Sequence, residues 1–172
     1  MKKRFLVVWA GFALLASPAA ALTITYSVSM NAAQEVPAGG DPDGTAIGTL
    51  TVNDATGLIS WSFTYANLAT PLAAMHIHGP VGPVGVGAGV YVSLGVVTTG
   101  GAGTLINTLT TSVANAVAIN AIPTNFYVNI HNTAYPSGAV RGQLGVVVPE
   151  PAAFGLLVLG LAGLGWARRR RS

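Results

Sequence analysis

Three histidines and no cysteine stand in this chain of 172 residues. Any chemistry done with side-chain nitrogen ligands therefore runs through His76, His78 and His131. Two of them lie in Met75-His76-Ile77-His78-Gly79-Pro80 and the third in Tyr127-Val128-Asn129-Ile130-His131-Asn132. Side chains alternate with period two along a β-strand, so a strand over 73–78 puts His76 and His78 on one face. Their Cα atoms are then about 6–7 Å apart, a span that two imidazoles can close around one ion. The same alternation puts Tyr127, Asn129 and His131 on one face of the second strand. If the two strands are neighbours, three imidazoles converge, a recurrent ligand set of catalytic metal sites. Copper and zinc are among the ions that imidazoles suit. The competing reading is three unrelated histidines, each hydrogen-bonded in the core or at its rim. Periodicity alone leaves both open.

The ends of the chain settle what its charge means. Lys2, Lys3 and Arg4 precede an apolar run from Phe5 to Ala16 and then Ser17-Pro18-Ala19-Ala20-Ala21. That order reads as a secretory signal over residues 1–21, removed by signal peptidase after Ala21. At the other end, Pro149-Glu150-Pro151 precedes an apolar run from Ala152 to Ala167, then Arg168, Arg169, Arg170, Arg171 and Ser172. Sixteen helical residues reach about 24 Å, short of a hydrocarbon core of about 30 Å; flanking residues or a thin bilayer make up such a difference. As a transmembrane anchor it would keep its arginines on the cytoplasmic side and the domain outside.

With both ends set aside, Arg141 is the only Lys or Arg left in residues 22–148, against Glu35, Asp41, Asp43 and Asp54. The formal charge of +3 therefore says nothing about nucleic acid, whose binding needs a Lys/Arg footprint. With no cysteine there are no disulfides, thiolate ligands or thiol nucleophiles. About 125 residues must hold together through an apolar core, which is feasible at that size.

Leu22 to Met30 alternates as a half-buried strand. Thr45 to Asn53 and Leu58 to Tyr65 form a hairpin around Asp54-Ala55-Thr56-Gly57, with Ile59, Trp61, Phe63 and Tyr65 as a core row. Further strands are expected at 73–78, 90–97, 103–109, 125–131 and 139–148. A short helix is expected near 112–122, where Val113, Val117 and Asn120 or Ala121 approach helical spacing. Asp41 and Asp43 fall in a turn-rich loop and fit solvated turn residues better than a calcium cage, which needs more oxygens. The Gly/Pro run from Gly79 to Gly87 lacks the Lys-Ser/Thr and the βαβ setting of a phosphate loop. Seven or eight short strands with Gly/Pro turns predict an all-β, antiparallel Greek-key sandwich or barrel. Apolar helices are expected only in the two terminal signals.

Two resemblances rest on these residues. The Pro-Glu-Pro motif, apolar run and tetra-arginine ending resemble the PEP-CTERM sorting signal of Gram-negative bacteria over 149–172. That resemblance implies removal of the tail by an exosortase-type protease and delivery to the cell envelope, surface or extracellular matrix. The order Glu35-Val36-Pro37, Met75 to Pro80, Tyr127 to His131 and Gly138-Ala139-Val140-Arg141-Gly142-Gln143-Leu144 resembles the CHRD domain. It departs at Ala139, where an acidic residue is common, and at Asn132, where Thr is usual. CHRD membership implies a β-rich extracellular module without settled biochemistry; the addressing at both ends and the lack of a nucleophile–base set suggest a module that binds a polymer or another protein.

A fainter likeness is to copper–zinc superoxide dismutase, also a Greek-key β-sandwich. By that analogy His76, His78 and His131 look like copper ligands and Arg141 like the cation near the metal. Three histidines cannot supply the remaining ligands of a binuclear dismutase, so that enzyme is excluded. Arg141 is expected to be partly buried and paired with a carboxylate, Glu35 first. Two functions stand side by side: a non-catalytic surface module, and a mononuclear copper- or zinc-binding protein with a buffering or redox role.

Overall fold

The computed structural model describes residues 22–69, 71–80, 85–95 and 100–148. Among the described residues nine strands, all paired antiparallel, make one sheet: eight run in the order β5-β4-β7-β8-β1-β2-β3-β6, and β9 pairs with β1 off that path. The elements are β1 (Thr23–Asn31), β2 (Thr45–Asn53), β3 (Leu58–Ala66), β4 (Leu72–His78), β5 (Val90–Gly95), β6 (Gly103–Thr110), α1 (Val113–Ala121), β7 (Tyr127–Asn132), β8 (Val140–Gln143) and β9 (Val146–Val148). Neighbours β3–β6, β4–β7 and β1–β8 are not consecutive in sequence, which is the Greek-key pattern. The sheet curls into a nearly closed barrel, and the all-β architecture expected from the turn spacing is the one that forms.

Alternation builds the interior. Tyr26, Val28 and Met30 of β1, Leu50 and Val52 of β2, and Ile59, Trp61, Phe63 and Tyr65 of β3 are all buried. Each such side chain contributes roughly 1.5–3 kcal/mol on leaving water, and a one-residue slip would turn the whole row outward. The β2–β3 register is pinned by its turn. Asn53 Oδ1 accepts from the Ala55 and Thr56 amides at 3.0 and 2.9 Å, and Gly57, at φ 74°, supplies the left-handed residue the turn needs.

Three expectations need correction. The helix forms where it was expected, with Ser112 capping it through the Asn115 amide at 3.1 Å. However, Val113 and Val117 are exposed, and Ala116 and Ile119 are the residues that face the core. A nine-residue helix rotates to suit the surface it meets, and here Asn120 fixes that rotation. Asn120 accepts from Tyr26 Oη at 2.9 Å and donates to the Leu22 and Val52 carbonyls at 3.3 Å each.

The strand expected over 139–148 is two strands. The pairing with β1 moves by one residue between Asn31↔Arg141 and Ser27↔Val146, a bulge that lets β8 bind β7 while β9 continues along β1. Finally, Asp41 is buried rather than solvated. Its Oδ2 accepts from the Ala69 amide at 2.7 Å and from Asn132 Nδ2 at 3.1 Å, tying two loops together. Among the described residues no helix is long and apolar enough to cross a membrane. The expected signal helices, the Pro149–Pro151 and Arg168–Arg171 motifs, and the end of the 90–97 strand lie outside the described residues.

Candidate metal centre

β4 and β7 are hydrogen-bonded neighbours, with His76 opposite Asn129, His78 opposite Tyr127 and Ala74 opposite His131. Met75, Ile77, Val128 and Ile130 point into the core with no exposure, so both histidine faces lie on the outside of the barrel. One ring nitrogen from each histidine lies within 4.8 Å of the other two. The ring centroids are 4.9 to 5.6 Å apart. The three imidazoles thus form one cluster on an outward face that loops cover: His78 and His131 are buried and His76 half-buried.

The loops also fix the protons. His78 Nδ1 lies 3.0 Å from the Ala88 carbonyl oxygen, and His131 Nδ1 lies 3.1 Å from that of Pro136. A carbonyl only accepts, so both Nδ1 atoms carry the hydrogen and both Nε2 atoms present a bare lone pair. Among the described residues those two Nε2 atoms, and Nδ1 of His76, are buried without a hydrogen-bond partner. Backbone carbonyls holding the far side of a ligating imidazole are the usual outer support of a metal site. Burial pushes the His76 imidazole down to about 4, with His131 and His78 adding to the effect. Burial likewise lowers His78 and His131. All three rings are therefore neutral at neutral pH, the form that ligates.

Beside the triad lies a second polar group. The Arg141 guanidinium is almost wholly buried and lies with its Cζ 3.5 Å from the centre of the Tyr127 ring, a cation–π contact. The same ring stacks on His78 at 5.0 Å and 6°. Arg141 Nη2 donates to Gln143 Oε1 at 3.2 Å, while Nη1 has no partner among the described residues. The expected Arg141–Glu35 pair does not form. Glu35 Oε2 instead accepts from Asn129 Nδ2 at 3.2 Å, and Asn129 is the register neighbour of both His76 and Arg141. The aromatic face takes the cation and the amide takes the carboxyl, so each is desolvated without the other's hydrogen bond.

Gly138 makes this close packing feasible. At φ 148° it passes directly over the pair, where a Cβ would meet Glu35 Oε2 at 2.5 Å and Asn129 Nδ2 at 2.7 Å. The sequence named Tyr127, Asn129 and Gly138 but assigned none of them a role at the site. The signal for the first two was their position on the His131 face.

An exported-type β-barrel with a histidine cluster on its outer face is the class of protein that fold and site define. The chain belongs to the CHRD domain family, whose model matches residues 26–144. Residues 147–171 match the PEP-CTERM protein-sorting motif. This motif marks export to the cell envelope or surface in Gram-negative bacteria and processing by an exosortase-type protease. Neither the curated proteins nor the solved structures contain a match to this chain.

Proposed function

We propose that this protein is an envelope-delivered CHRD module that binds a single transition-metal ion through His76, His78 and His131. The observation that carries the reading is the trio of buried, unpartnered ring nitrogens, two of them fixed as bare acceptors by backbone carbonyls. A buried polar nitrogen without a partner is unfavourable by roughly 1–3 kcal/mol, and one cation shared by the three would satisfy all of them at once. Nitrogens bonded to one zinc at about 2.0–2.1 Å in a tetrahedron lie roughly 3.4 Å apart. From separations of up to 4.8 Å the cluster must therefore tighten by up to about 1.4 Å, through small χ changes.

For divalent ions the affinity order favours copper over zinc at such donors. Three protein ligands leave a position for water or a small ligand. Among the described residues no serine, threonine or carboxylate joins the triad in a nucleophile–base arrangement, so binding or buffering of metal, with redox turnover as a further use, fits better than hydrolysis.

The test is metal analysis of untagged protein purified from the envelope, before and after a chelator. About one copper or zinc per chain is expected. His76→Ala, His78→Ala and His131→Ala should each abolish it while the barrel still melts cooperatively. A wild-type protein that neither carries nor takes up metal would leave a purely structural or polymer-binding module.

A further inference from the structure

Three imidazoles are neutral donors, so the triad brings no charge to balance a metal ion. Among the described residues Glu35 is the only carboxyl in the same buried patch, and it forms no ion pair and has Oε1 unpartnered. It is 6% exposed and is held through Oε2 by Asn129, which stands directly opposite His76. The other charged or titratable groups on the elements around it are Arg141 on β8, Tyr127 and His131 on β7, His76 and His78 on β4, and Asp41 at the end of its own loop. Arg141 stacks on Tyr127, and Asp41 is engaged by Asn132 and Ala69. Arg141 is itself a cation and cannot balance a new positive charge, and Asp41 is already engaged.

Resting on the metal reading above, we propose that Glu35, reaching the triad through Asn129, is the counter-charge of the metal site. Binding of a divalent ion and loss of the Glu35 proton are then one coupled event. A carboxyl buried with a single hydrogen bond favours its neutral form, and a nearby cation reverses that preference. Burial holds Glu35 up at about 7, against the lowering effects of Asn129 and Arg141, so part of the population is protonated at neutral pH and below. When the ion enters, the Glu35 O–H bond breaks, its proton leaves to solvent, and the carboxylate remains as the balancing charge. Because the balance scales with ionic charge, Glu35 also favours divalent over monovalent ions.

The experiment is titration calorimetry of Zn²⁺ into the full chain at pH 6.5, in two non-coordinating buffers of different protonation enthalpy. The difference between buffers counts protons. Wild type should release a substantial fraction of a proton per zinc, and Glu35→Gln should release almost none. Glu35→Gln should also weaken zinc about tenfold or more while weakening Cu⁺, measured by chelator competition, distinctly less. Equal proton release from wild type and Glu35→Gln, or equal weakening of both ions, overturns the proposal and leaves the metal site standing. No zinc or copper binding by folded wild type overturns the metal reading and this proposal with it. Should Glu35→Gln not fold, the wild-type pH profile decides. Zinc affinity should rise steeply, approaching tenfold per unit, up to about pH 7 and flatten above it, and a flat profile from pH 5.5 overturns the coupling.

Discussion

Buried imidazoles and a buried carboxyl respond to acid in opposite senses, and this protein places both kinds in one patch. The folded state holds His76 at about 4, and His78 and His131 below their ordinary 6.5, all through burial first. The unfolded chain then binds protons more readily, so their contribution to stability is present above about 6.5 and is lost as pH falls below it, for His76 toward about 4. Glu35 is raised from 4.5 to about 7, again by burial. Its protonated form is the one the fold prefers, so stability is gained as pH falls from 7 to 4.5. The two effects oppose each other in the metal-free protein. Melting of chelated samples should show a larger loss of Tm between pH 7 and pH 4.5 in Glu35→Gln than in wild type, because the compensating carboxyl is gone. Parallel profiles would show that Glu35 titrates as an ordinary exposed carboxylate.

At the scale of elements, α1 shows how little of a short helix's orientation its own pattern fixes. Val113 and Val117 share a face by spacing, yet both are about half-exposed, while Ala116 and Ile119 are fully buried. The small Ala116 and the three hydrogen bonds of Asn120 hold the helix against the barrel end where β1 begins and β2 finishes. Asn120→Ala removes partners from Tyr26 Oη and two backbone carbonyls, and is expected to cost about 1–3 kcal/mol. Val117→Ser should stay within about 0.5 kcal/mol, as surface changes do. Urea denaturation of the two variants checks both. The reverse ranking would restore the helix face suggested by its valines.

The whole molecule is a barrel followed by a sorting motif. The match to the sorting motif begins at residue 147, within β9, and β9 pairs with β1 at Thr25 to Ser27. A cut beyond Pro149 therefore leaves every described strand intact. In a host that has the sorting protease, the surface-extracted protein should lack the segment ending at Arg168–Arg171 and Ser172. In a host without it, the same mass measurement should find the tail attached. Complete tails in both hosts would sink the processing step.

Period-two alternation is a local property, set by the pleat, and it made much of this protein legible from its residues. It gave the core row Ile59, Trp61, Phe63 and Tyr65, the shared face of His76 and His78, and the presence of His131, Asn129 and Tyr127 on one face. The terminal sorting pattern was legible for a similar reason, because it is read as a linear order of residues. What lies between sequence-distant elements was decided only by the tertiary structure. The β4–β7 pairing spans β5, β6 and α1, and without it the third imidazole has no fixed distance from the other two. The bare Nε2 atoms depend on carbonyls of Ala88 and Pro136, whose loops carry no side-chain signal for that role. Opposite charges on Arg141 and Glu35 suggested an ion pair, but the desolvated guanidinium found the Tyr127 ring and the carboxyl found Asn129. Charge sign is written in the sequence; which partner satisfies a buried charge depends on the side chains that the sheet register brings within hydrogen-bond or stacking distance.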